Sequence, residues 1–170
     1  MLRRILALLC LAVASYAAFP RPLADVPISA PGGKTIRLSQ YKGKVMVVLI
    51  VLTTCEHCVK SAQLLARLQK DYGKDFQAVA VAVDSKAPEL AVTFRELHRL
   101  NYPVGYLTDD NSVMKLADFK REDRPLSPMY LFVDKKGTVR LQYIGSDDNF
   151  FKNEEKNVRG VVEAYLKETN

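Results

Sequence analysis

Two cysteines separated by two residues, in Cys55-Glu56-His57-Cys58, are the side chains best suited to covalent chemistry in this 170-residue chain. A pair at that spacing can do redox work. On a helix, residues three apart share a face with Cβ atoms roughly 5–6 Å apart. A modest backbone adjustment brings such a pair into disulfide range, so the bond can form and break without unfolding its surroundings. The same four residues also admit a static disulfide, half of a zinc site, or a chance spacing. What separates these readings is where the pair sits in the fold.

Upstream, Val45 to Leu52 is an unbroken apolar run, rich in β-branched residues and preceded by a Gly43-Lys44 turn signal. That is the pattern of a strand buried on both faces. Thr53 and Thr54 follow, and either hydroxyl can cap a helix start. Downstream, Ala62, Leu65, Leu68 and Tyr72 fall into helical period, and Gly73 supplies a stop. The cysteines therefore stand where a central strand ends and a helix begins. Unpaired N–H groups and the helix dipole favour thiolate at that point, and thiolate is the attacking form. Cys55, at the helix tip, is the expected nucleophile. Cys58, one turn in and better covered, is the expected resolving thiol. His57 is either a surface residue or a cation that lowers the Cys55 pKa, and Glu56 acts in the opposite sense.

The rest of the chain supplies a scaffold. Its length suits one domain with a real core. Arg3 and Arg4 precede an apolar run from Ile5 to Ala14, and Ser15-Tyr16-Ala17 offers small residues at a cleavage site. Residues 1–17 thus have the layout of a secretory signal, and the run is short for an uncleaved anchor. A lipid-modified Cys10 is rejected, because Leu9 stands where a small residue is wanted. The formal net charge is +6. Residues 1–17 hold two of those cations and no acid, so the remainder keeps a scattered surplus of four, and no basic block argues for nucleic acid. A lone bridge closing so small a loop adds little stability, which favours a catalytic pair over a staple.

Ala24–Val26 and Thr35–Leu38 read as two edge strands around a Pro31-Gly32-Gly33 turn. Ala78 to Val83 is a second core strand ending at Asp84, giving a parallel crossover. Pro88 opens a helix with Leu90, Phe94, Leu97 and Asn101 on its face. A short strand at Pro103–Leu107 precedes a small helix capped by Asp109-Asp110-Asn111, and 120–124 reads as a charged loop. Met129–Val133 and Thr138–Ile144 form a hairpin around Asp134–Gly137, and Val158, Val161, Val162, Tyr165 and Leu166 mark a last helix. His98 reads as a structural histidine.

Three stretches carry a family likeness. They are the lead-in Gly33–Lys44, the Cys55–Cys58 motif at its distance from that lead-in, and Ser127-Pro128-Met129-Tyr130-Leu131-Phe132-Val133-Asp134-Lys135-Lys136-Gly137. In that order they resemble the exported TlpA/ResA-type thiol–disulfide oxidoreductases, over about Leu23 to Glu168. The resemblance implies an α/β, thioredoxin-like fold: a mixed central sheet flanked by helices, with an N-terminal β-hairpin extension, in one domain over residues 18–170. It implies a cis bond before Pro128, with Ser127 and Pro128 docking an extended substrate beside Cys55. It also implies reductive exchange with protein thiols, such as apocytochrome c haem-site cysteines in the periplasm, fed by a membrane redox partner. The protein would touch the membrane only if residues 1–17 were retained. No cofactor beyond the Cys55–Cys58 disulfide and no metal are expected. Asp84 lies near the position where some relatives keep a buried acid that serves as proton acceptor for the second thiol; a strand-end or helix-capping role fits it equally. The chain departs from the family at Ile50, Val51 and Thr54, where aromatics and a Trp are common, and at His57, where many members have Pro. Two other functions are weighed. A thiol peroxidase of peroxiredoxin type would want Thr and Pro where Leu52 and Val48 stand. Metal binding by Cys55, His57 and Cys58 would crowd three ligands into four residues.

Overall fold

The computed structural model of the protein describes residues 20–120 and 127–168; the expected signal segment and most of the charged 120–124 stretch lie outside them. Eight strands form one sheet: β1 (Arg21–Pro22), β2 (Ile28–Ala30), β3 (Lys34–Ile36), β4 (Val45–Val51), β5 (Phe76–Ala82), β6 (Val104–Tyr106), β7 (Met129–Val133) and β8 (Thr138–Tyr143). Their order is β1-β8-β7-β4-β5-β6-β2-β3. The α-helices among the described residues are α1 (Glu56–Tyr72), α2 (Ala87–Leu97), α3 (Asp110–Ala117), α4 (Asp148–Phe151) and α5 (Glu154–Lys167).

The two apolar runs become the two most buried strands. Every residue of β4 and of β5 is buried, and the two pair in parallel from Val45–Phe76 to Val51–Ala82. Successive side chains of a strand point to opposite faces. Val45, Val47, Leu49 and Val51 accordingly pack with Cys58, Leu65, Phe94, Val158 and Val162. Met46, Val48 and Ile50 pack on the other side with Ile28, Leu38, Leu116 and Leu131. No alternation is needed in a strand covered on both sides, which is why these runs are continuous. On α1, Leu64, Leu65 and Leu68 are buried against the sheet, each contributing roughly 1.5–3 kcal/mol from burial. The helix ends at Gly73, whose φ of 55° is the left-handed region open to glycine.

Several details differ from the sequence reading, which has no counterpart for α4. The first edge strand is Ile28–Ala30, not Ala24–Val26. Val26, Ile28 and Ala30 alternate inward, but ladder pairing begins only beyond Pro27. The second strand is Lys34–Ile36, and Leu38–Tyr41 is a 3₁₀ turn. A further short strand, β1, closes the opposite edge by pairing Arg21 with Val139. Finally, the inward face of α2 is Ala87, Ala91 and Phe94, while Leu97 is 70% exposed. The helix stops there and Arg99 turns the chain at φ 53°, so Leu97 and Asn101 never share a buried stripe.

The β2–β3 hairpin is part of the sheet, joined to β6 through Ser29 and Tyr106. Gly105 permits that approach. A Cβ built there would lie 2.5 Å from Ile28 Cγ2 and 2.6 Å from the Ser29 carbonyl oxygen.

Candidate active site

At the carboxyl end of β4 the chain leaves the sheet and turns into α1. The Cys55 N–H donates to the Leu52 carbonyl at 3.2 Å, closing that turn. α1 begins at Glu56, and its N-cap is Cys55 itself, with φ −90° and ψ 118°. Neither Thr53 nor Thr54 caps it. Cys55 Sγ takes the capping role, accepting the Cys58 N–H at 3.3 Å. The first turn therefore satisfies one of its orphan donors with the sulfur of one cysteine and the backbone of the other.

The two thiols, both free here, differ in environment. Cys55 is half-buried and open to solvent, whereas Cys58 is fully buried under the sheet-facing side of α1. Burial pushes the Cys58 thiol well above its ordinary range, the hydrogen bond with Cys55 adds to this, and a backbone hydrogen bond from Leu52 opposes it. Glu56 and His57 are exposed on the first turn. Leu52, also exposed, gives the rim beside Cys55 an apolar element.

β7 brings the second predicted segment to the same end of the sheet. It runs antiparallel to β4, with Met129 opposite Ile50. Pro128 is therefore one residue beyond the last pair, level with the point where β4 gives way to the cysteine turn. The Ser127–Pro128 bond is cis, Pro128 is buried and Ser127 half-buried. Asp84, at the end of β5, is adjacent too. Its carboxylate accepts the Thr53 N–H at 2.7 Å and the Thr53 hydroxyl at 3.0 Å. It also accepts the Lys86 N–H at 3.2 Å.

One cluster was not read from sequence. Ser61, one turn past Cys58 on the same face of α1, donates to Glu154 Oε1, and the Tyr130 hydroxyl donates to the same oxygen at 2.7 Å. Ser61 and Tyr130 are buried, and Glu154 opens α5. The cluster ties α1 to β7 and α5. Burial and the neighbouring Glu154 charge hold the Tyr130 hydroxyl well above the usual tyrosine range. No local motif announces it, because its three members come from distant parts of the chain. His98 lies elsewhere, its ring edge-on to Phe94 at 5.0 Å between centroids.

Among the described residues, no group of three or more His, Cys, Asp or Glu is placed to hold a metal ion, and no helix is long and apolar enough to cross a membrane.

The family model described as Redoxin matches residues 20–162. Solved structures are similar over nearly their whole length. A thiol:disulfide interchange protein of the thioredoxin family from Chlorobium tepidum TLS is 19% identical, with a TM-score of 0.70 over 88% of this chain and 98% of that one. A thiol:disulfide interchange protein from a Bacteroides species is 19% identical, with a TM-score of 0.62 over 86% and 93%. The thioredoxin domain of a thiol-disulfide oxidoreductase from Bacteroides vulgatus is 18% identical, with a TM-score of 0.59 over 81% and 95%. At these identities the likeness is one of fold, and the fold is the thioredoxin-like one, with the mixed eight-stranded sheet described above.

Proposed function

The chain belongs to the Redoxin family, and from that premise we propose that it is a thiol–disulfide oxidoreductase that reduces protein disulfides through Cys55 and Cys58 in an extracytoplasmic compartment. The observation that carries this reading is the contrast between the two sulfurs. Cys55 stands open at the tip of α1, and Cys58 waits one turn below it, buried and already hydrogen-bonded to it.

The Cys55 thiolate attacks one sulfur of a substrate disulfide. The S–S bond breaks, the other substrate sulfur leaves as a thiolate and takes a proton, and a mixed disulfide remains. Cys58 gives up its proton and attacks Cys55 Sγ. The second substrate thiol departs and the Cys55–Cys58 disulfide forms. Substrate gains two electrons and two protons, and the enzyme pair loses them. A membrane redox partner then restores the dithiol.

Burial of Cys58 suits this order, since a covered thiol attacks only a sulfur delivered to it. Ser127 and Pro128, at the head of β7, border the place where an extended substrate segment would lie. Glu56 and His57 stand between the two cysteines on the exposed first turn. The family resemblance supports reductive work on apocytochrome c cysteines, and the signal-like layout of residues 1–17 supports export.

The test is trapping. Cys58→Ala accumulates covalent mixed disulfides with substrate, while Cys55→Ala loses turnover and traps nothing. Faster alkylation of Cys58 than of Cys55 at neutral pH would reverse the assignment. The direction is read from the potential. A value near thioredoxin's, about −270 mV, supports reduction, and one near about −120 mV marks an oxidant instead.

A further inference from the structure

We propose that Asp84 is a positioning residue for the redox pair, acting through Thr53 to hold the turn that carries Cys55. This rests on the reading of Cys55 and Cys58 as the reactive pair.

The inference starts from strand register. β4 and β5 run in parallel with Val51 beside Ala82, and the ladder continues as the Val83 N–H donates to the Val51 carbonyl at 3.0 Å. Two residues past the last pair, the same offset sets Thr53 beside Asp84. Here β4 must leave the sheet to start α1, and Thr53 would lose its ladder partner. The Asp84 carboxylate replaces it. One oxygen accepts the Thr53 N–H at 2.7 Å, and the other accepts the Thr53 hydroxyl at 3.0 Å. Both residues are half-buried, so water competes only in part.

Asp84 is itself held. Its Oδ1 accepts the Lys86 N–H at 3.2 Å, and its carbonyl accepts the Ala87 N–H at 3.0 Å, where α2 begins. The carboxylate thus ties the turn before α1 to the start of α2. Just past Thr53 that turn is closed by the Cys55 N–H on the Leu52 carbonyl, and Cys55 Sγ then receives the Cys58 N–H. Closing the disulfide requires the two sulfurs to stay within reach. A firmly held turn keeps their effective concentration high, and a loosened one lowers it.

The experiment equilibrates the purified protein with glutathione buffers and measures the closed fraction by mass after thiol alkylation. In closure, two protein thiols and one glutathione disulfide become the Cys55–Cys58 disulfide and two glutathione thiols, with both protons passing to glutathione. Asp84→Ala and Thr53→Val each lower the closure constant about threefold to tenfold, the scale of one or two hydrogen bonds. Thr53→Ser, which keeps both donors, stays within about twofold of wild type. Asp84→Asn falls between wild type and Asp84→Ala, because a turned amide can accept the Thr53 N–H and donate to the Thr53 hydroxyl but then faces the Lys86 N–H with its own NH2; a proton acceptor could not be replaced even this far. The double variant Asp84→Ala/Thr53→Val shifts no further than Asp84→Ala alone, since both remove one shared contact.

Unmoved closure constants, shifts that add in the double variant, or an Asn variant as impaired as Ala would each overturn the proposal. Should Asp84→Ala not fold, Thr53→Val, nearly the same shape, carries the test. A wild-type pair that closes at no glutathione ratio overturns the proposed function and this inference with it, whereas a closing wild type with unmoved variants overturns this inference alone.

Discussion

Removing the Glu154 carboxylate tests whether the cluster it forms with Ser61 and Tyr130 secures α1 against β7 and α5. Glu154 Oε1 accepts from two buried donors, the Ser61 and Tyr130 hydroxyls. Glu154→Ala leaves both without that partner, at about 1–3 kcal/mol for each orphaned group. Glu154 is only half-buried, so water can enter where the carboxylate stood and recover part of the loss. A net destabilisation of about 1–3 kcal/mol is expected. In a domain of this size that lowers Tm by roughly 2–12 °C. Tyr130→Phe removes one donor without leaving an orphan on its own ring and costs about 0.5–1.5 kcal/mol. Thermal unfolding of the two single variants and the double variant forms a cycle. The double variant should fall short of the sum of the singles by about 0.5 kcal/mol or more. A Glu154→Ala protein melting within about 1 °C of wild type, or strict additivity, would refute the reasoning.

Two further outcomes follow from packing and titration. Gly105→Ala drives a methyl group into Ile28 and the Ser29 carbonyl and destabilises by about 1–3 kcal/mol, whereas Gly160→Ala, exposed within α5 with nothing within 4 Å, stabilises by up to about 1 kcal/mol; matched melting curves check the opposite signs. Burial holds the Tyr102 and Tyr130 hydroxyls well above the usual tyrosine range, so the folded state keeps protons that the unfolded state releases. Their contribution is intact below about pH 10 and is lost as pH rises beyond it. Tyrosinate absorbance for these two should therefore appear together with the loss of tertiary structure, and full ionisation in an intact fold would contradict this.

How much of this was legible in the sequence depended on the range of each signal. Continuous apolar runs gave β4 and β5 because both strands are covered on two faces, and the period of Ala62, Leu65 and Leu68 gave α1 with its stop at Gly73. The Asp134–Gly137 turn gave the β7–β8 hairpin for the same local reason. Leu97 misled because apolar spacing cannot show where a helix ends: it falls at the last residue of α2, outside the Ala87, Ala91 and Phe94 stripe, and the left-handed turn at Arg99 keeps Asn101 from extending that face. Hydroxyl preference lets Thr53 or Thr54 cap α1, but the turn geometry gives the cap to Cys55 and leaves Thr53 to Asp84. That partnership was latent in the equal offset of the two parallel strands, once their register was known. The meeting of Ser61, Tyr130 and Glu154 had no such signal, since only the finished sheet and α5 bring them together.

The placement of β4 between β5 and β7 also has a kinetic side. β5 reaches β4 through the single crossover of α1, whereas β7 lies more than twice as far along the chain. Loop-closure entropy grows with loop length, so the β4–α1–β5 unit is the cheaper one to assemble, and contacts from β7 and α5 come at greater entropic cost. The two cysteines belong wholly to that inner unit. A chain folding in this order brings Cys55 and Cys58 to their places at the start of α1 before β7 and α5 have docked, so the spacing of the pair is set by the inner unit alone.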